Sequence, residues 1–104
     1  MSLKVSGEMY VSIEYVKSGQ VVRTKIGNKK VGERLIDMTD KAEANVEIGV
    51  TKNLGNYESL RVSVGVKLPC TTDEVTTTLE RAKALAETHL HKFVHEAMDD
   101  SVKF

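Results

Sequence analysis

The apolar positions of the chain follow two periods. Between residues 9 and 68 they recur mostly at every second position, and beyond residue 71 at every third or fourth. The first period belongs to strands with one buried face, the second to an amphipathic helix. The clearest alternation spans residues 45–68, which read NVEIGVTK, NLGN and YESLRVSVGVKL. Two alternating runs around a Gly/Asn turn predict a β-hairpin. In its second arm Leu60, Val62, Val64, Val66 and Leu68 share one face, and Tyr57, Ser59, Arg61, Ser63, Gly65 and Lys67 share the other. Val46, Ile48 and Val50 repeat the apolar face in the first arm. An antiparallel sheet with one wet face reads this way, whereas a parallel sheet covered on both sides would be continuously apolar.

An earlier hairpin is predicted over residues 9–26. Met9, Val11, Ile13 and Tyr15 alternate on one face, residues 17–20 turn, and residues 21–26 return. In the returning arm Val22, Thr24 and Ile26 are expected on one face and Val21, Arg23 and Lys25 on the other. Glu14 and Arg23 are placed to pair across this hairpin. Residues 1–7 are polar and expected to fray. Residues 27–44 carry two glycines and a run of cations. They read as a flexible basic arm, followed by about a turn of helix, or as a tolerated surface insertion.

Pro69 closes the long arm, since it has no N–H for a ladder. Thr71 and Glu74 match a capping box, so a helix is predicted from there to about Met98. Its apolar stripe is Val75, Leu79, Ala82, Ala86, Leu90, Phe93 and Ala97. Such a helix is about 40 Å long. A strand over residues 57–68 is also about 40 Å long. The expectation is therefore an α+β fold in one domain over residues 1–104: a four-stranded antiparallel sheet of two hairpins, one face under a long C-terminal helix.

Composition adds limits. The lone cysteine, Cys70, excludes an internal disulfide and points to a reducing cytoplasm, with Cys70 as a small buried filler. No signal-peptide core and no membrane-length apolar run stand in the sequence, so a cytoplasmic location is expected. Formal net charge is zero, yet residues 1–70 carry eleven Lys/Arg against eight Asp/Glu. A neutral chain can present a basic surface in this way.

Candidate chemistry is sparse. His91 and His95 stand four apart on the predicted helix, with Glu87 and Asp99 along the same line, a spacing that can bind zinc. The segment HKFVH lacks the HExxH order, and the face is expected to be solvated, so no metal site is expected; His89 reads as an edge residue. No P-loop, dinucleotide fingerprint or nucleophile elbow is present, so neither an enzyme nor a cofactor is expected. Gly49 and Gly65 interrupt the polar sheet face, either as bulges or as room for a ligand or second chain.

What remains is that polar face. Tyr10, Arg23, Lys25, Tyr57, Arg61 and Lys67 are expected there, with Lys29, Lys30 and Arg34 of the arm extending it. Cations that follow phosphates and aromatic rings that stack bases are the requirements of single-stranded nucleic acid binding. Glu14 and Glu47 share the face, and an ordinary solvated sheet would look similar. Residues 53–70, NLGNYESLRVSVGVKLPC, followed by an acidic, alanine-rich helix, resemble a class of small bacteriophage-encoded proteins associated with single-stranded DNA binding. The likeness covers residues 45–98. It implies a phage replication or recombination accessory protein, in the host cytoplasm. The expected function is thus that of a non-enzymatic single-stranded nucleic acid binding protein, with a homodimer expected to form through open sheet edges. The rival is a small protein-interaction module, such as a phage inhibitor or adaptor, using the same face or an edge strand.

Overall fold

The computed structural model describes residues 2–102, with side chains over residues 2–98. Four strands are followed by one helix: β1 (Ser2–Lys17), β2 (Gln20–Asp37), β3 (Lys41–Gly55), β4 (Glu58–Thr71) and α1 (Val75–Val102). All neighbours are antiparallel and the spatial order is β2-β1-β4-β3, so β1 and β4 are central and β2 and β3 are edges. The expected α+β architecture is present. Short 3-10 turns, Met38–Asp40 and Thr72–Glu74, join the hairpins to each other and to the helix.

The strands are far longer than the usual five or six residues. Residues 2–7 do not fray: Ser2 to Ser6 pair with Asp37 to Glu33. The basic arm expected over residues 27–44 is likewise absent. Most of it continues β2, one 3-10 turn follows, and β3 begins at Lys41. The signals that suggested a loop are one local irregularity. At Gly32 (φ +88°) β2 carries an extra residue between its pairings with Ser6 and Glu8, a bulge that needs a left-handed residue.

The core lies between α1 and one sheet face. Leu60, Val62, Val64 and Val66 of β4 are fully buried, with Met9, Ile13 and Tyr15 of β1 beside them and Ala44 of β3. Ala82, Ala86 and Ala97 bring the helix close to this layer. Leu85, Leu90, Phe93 and Val94 fill the flanks. The Tyr15 hydroxyl donates to the Ala97 carbonyl (3.2 Å) and ties the helix to β1. At its start the inward position is Thr78, not the expected Leu79, which is exposed. Cys70 is buried, as a filler would be.

The helix start is held by Thr71 and Glu74. The Glu74 carboxylate accepts from the Thr71 N–H (3.1 Å) and hydroxyl (2.7 Å), and Arg34 Nη1 of β2 lies 3.0 Å from it. Thr71 first, then Arg34, hold this carboxyl below its ordinary pKa. A carboxyl whose pKa is lower folded than unfolded contributes fully above the unfolded value and loses that contribution as pH falls through the folded one. Glu74→Gln should therefore flatten the acid side of the stability curve. Urea midpoints between about pH 6 and about pH 3 test this, because glutamate titrates there. Parallel curves for the two proteins would show that this contact does not contribute.

Candidate functional site

A one-residue bulge decides what the surface presents. The turn between β1 and β2 is the pair Ser18-Gly19, both left-handed (φ +53° and +79°). Lys17 pairs with Gln20 and Val16 with Val21, but Tyr15 pairs with Arg23, so Val22 is extra. Beyond it Ile13 faces Lys25, Val11 faces Gly27 and Met9 faces Lys29. A slip of one residue moves every side chain to the opposite face. Arg23 and Lys25 therefore lie on the helix side of the sheet, not on the open face where they were expected. The Arg23 guanidinium sits 5.4 Å from the Tyr15 ring centroid, and Lys25 lines a hollow with Phe93 and Glu96 of α1. Glu14 faces Thr24 instead of Arg23, and its carboxylate is 4.0 Å from Arg61. The only mark of the bulge in the sequence is the doubled Val21-Val22, which breaks the alternation.

The same register divides the remaining candidates. Lys29 and Arg34 stand on the helix side and Lys30 on the open side, so the three do not form one cluster. Arg34 is committed to Glu74. Among the described residues neither Lys29 nor Lys30 is held in an ion pair.

Tyr10, Arg61 and Lys67 do lie on the open face. That face is electrostatically balanced. Lys4, Lys30, Lys41, Arg61 and Lys67 share it with Glu8, Glu14, Glu33, Glu43 and Glu47. Lys67 Nζ is 3.2 Å from Glu43, which raises the lysine pKa, and Lys4 Nζ is 3.1 Å from Glu33. Gly49 and Gly65 mark no bulges, since the β1/β4 ladder is regular and the β3/β4 ladder slips only between Asn53 and Gly55. Gly65 has another reason: a Cβ there would overlap the Tyr10 ring, which lies across it. The space belongs to the protein's own tyrosine.

Tyr57 occupies the tip of the second hairpin. Gly55, Asn56 and Tyr57 are successive left-handed residues (φ +83°, +54° and +62°). The Tyr57 carbonyl accepts from the Ser18 N–H (2.8 Å), which joins the two tips, while its side chain is 89% exposed. A non-glycine residue in this conformation costs roughly 1–2 kcal/mol. Tyr57→Gly should thus stabilise the fold by about 1 kcal/mol and raise the melting temperature by about 4 °C. A lower melting temperature would show that the phenol contributes to folding after all.

The exposed apolar residues gather on β2. Val22 is 62% exposed, Ile26 78% and Leu35 69%; Ile26 and Leu35 stand on the open face, away from α1. An edge strand turns alternate N–H and C=O groups to solvent along its free side. Pattern reading missed this site because β2 looks like any returning arm; its place at the sheet edge follows only from the strand order.

The histidines offer no rival. The His91 and His95 rings meet edge to face at 4.7 Å, and no metal-ligand cluster is found among the described residues. Asp99, the end of the expected line, lies outside the residues whose side chains are described. His89 stacks near Phe93 at 6.2 Å between centroids, and its Nδ1 is buried without a partner among the described residues. No described helix is long and apolar enough to cross a membrane.

The fold and surface thus define a two-hairpin, one-helix protein with an uncovered edge strand. No family model matches the chain, and neither a curated protein nor a solved structure matches it.

Proposed function

We propose that the protein is a non-enzymatic binding module that takes up an extended strand of a protein partner along β2. The observation that carries this reading is the exposure of Val22, Ile26 and Leu35 on a strand that is also a sheet edge. Backbone ladder bonds supply affinity in strand addition, and the alternating side chains supply selectivity. The opposite edge, β3, is less available in one respect: its Val46, Ile48 and Val50 already pack beneath α1.

A second reading is single-stranded nucleic acid binding, the function implied by the phage resemblance. It is favoured by β2 itself, which carries Arg23, Lys25, Lys29, Lys30 and Arg34 against Glu33 and Asp37, with Arg23 over Tyr15. The charge balance of the open face weighs against it. So does the edge: a phosphate backbone can accept from its N–H groups but offers little to its carbonyls, whereas a peptide satisfies both.

Selection from a displayed library of random decapeptides, with hydrogen exchange on the resulting complexes, tests the choice. Binders should slow exchange along residues 23–30 and lose far less affinity with rising salt than a polyanion complex would. Binders that protect other segments, or none at all, would refute strand addition. Preference for oligothymidylate, with affinity falling steeply as salt rises, would favour the nucleic acid reading.

A further inference from the structure

We infer that the strand received by β2 alternates apolar with acidic residues, the acids on the helix side. This rests on the strand-addition reading above and adds the partner's chemistry. Two bulges, at Val22 and next to Gly32, bracket residues 23–30, which pair with residues 8–15 of β1 without interruption. That regular stretch is about 26 Å long and accommodates a strand of about eight residues.

Its two faces differ. On the helix side stand Arg23, Lys25, Gly27 and Lys29; on the open side stand Thr24, Ile26, Asn28 and Lys30. No acidic residue belongs to the stretch itself. Directly opposed side chains of neighbouring strands come within about 5 Å, where opposite charges attract and like charges repel. An incoming strand therefore gains by placing Asp or Glu beside Arg23, Lys25 and Lys29. Glu96 of α1 borders the hollow at Lys25, so the added acids belong outboard of β2 and away from the helix. On the open side Ile26, with Thr24 next to it, suits a β-branched apolar neighbour.

The same charges set the specificity. Lysines on an edge strand discourage pairing between like edges. A second copy of β2, added antiparallel with its helix on the same side, would oppose cations to cations. The edge repels its own kind while remaining open to an acidic strand, so selection by charge requires no change in fold.

Blocked, fluorescein-labelled peptides of about nine residues, matched to the straight stretch, provide the test. One alternates valine with glutamate, a second valine with threonine, a third valine with lysine. Alternate backbone nitrogens are methylated so that each peptide has one competent edge and cannot stack upon itself. Anisotropy titrations should show the glutamate peptide binding at least about tenfold tighter than the threonine peptide, a difference of about 1.4 kcal/mol, and the lysine peptide weakest. The K25E/K29E variant should reverse that order. The K25T/K29T variant should still bind while losing the preference, and circular dichroism should show both variants folded, since these side chains are exposed. Equal affinity of the wild type for glutamate and threonine peptides would overturn the acidic partner and leave strand addition standing. Failure of every peptide, with the protein monomeric in sedimentation, would overturn strand addition as well. A dimer that ignores all three peptides would assign the edge to a second copy and overturn the inference. Binding of a twenty-nucleotide oligothymidylate alone would assign it to nucleic acid.

Discussion

Leu60→Ala lowers the unfolding free energy by about 3 kcal/mol, with a fall of about 12 °C or more in melting temperature for a domain of this size. Leu60 is fully buried in an inner strand, clustered with Ile13, Tyr15, Val62 and Ala97 and flanked by Val50, Leu54, Leu90 and Phe93. Truncation removes the transfer energy of three carbons and leaves a cavity. Collapse is restricted on both sides. Neighbouring strands hold the backbone of β4, and the hydrogen bond from Tyr15 to Ala97 fixes the spacing of sheet and helix. Urea titration monitored by circular dichroism measures the change. A loss below about 1 kcal/mol would mean that the helix settles into the gap and that the layer is not packed as described.

Gly7→Ala is expected to cost about 2–3 kcal/mol, within the range for overpacking. A Cβ at Gly7 would lie 2.8 Å from the Val31 carbonyl oxygen, 2.8 Å from Leu68 Cδ2 and 3.0 Å from the Lys67 carbonyl oxygen. Leu68 can turn aside. The two carbonyls belong to the strands on either side of β1, so relief at one brings the methyl nearer the other. Gly49→Ala is the control: its Cβ would meet the Val62 oxygen at 3.3 Å, a contact that a small shift relieves. Its cost should remain under about 1 kcal/mol. Equal losses at the two positions in the same titration would show that the bulge beside Gly7 yields.

These expectations divide the chain into a legible part and an illegible one. Faces read correctly wherever α1 enforces them. Met9, Val11, Ile13 and Tyr15 of β1 turn inward, as do the even positions of β4 from Leu60 to Val66, because exposing them would forfeit burial. Further along β2 Val31 and Ile36 pack inward, but over residues 21–30 no side chain is buried, so the hydrophobic pattern there carries no information about direction. Ile26 could point either way at similar cost, and an extra residue at Val22 decides. Residues 27–44 failed for a related reason: a charged run with two glycines resembles a loop unless a neighbouring strand is known to pair with it. The candidate site was legible to the same degree. Tyr10, Arg61 and Lys67 belong to strands whose other face is buried, and they stand where alternation put them. Arg23 and Lys25 belong to the strand that lacks such a constraint. Leu79 and Thr78 exchanged roles at the first turn of α1, where one residue of phase decides which side chain meets the sheet.

The extra valine after the first turn has an implication for how such a surface changes. Strand addresses in the interior are guarded by burial, and any insertion or deletion there disrupts packing. Over residues 23–30 of β2 the guard is missing. Were Val22 to pair with Tyr15 instead of standing out of the ladder, the eight residues that follow would turn over, sending Ile26 under the sheet's lee and Arg23, Lys25 and Lys29 to the weather side. Both versions keep the same composition and nearly the same solvent exposure. The chemical identity of this border is thereby written in a single pairing choice, and a lineage could exchange one clientele for another without remodelling its interior.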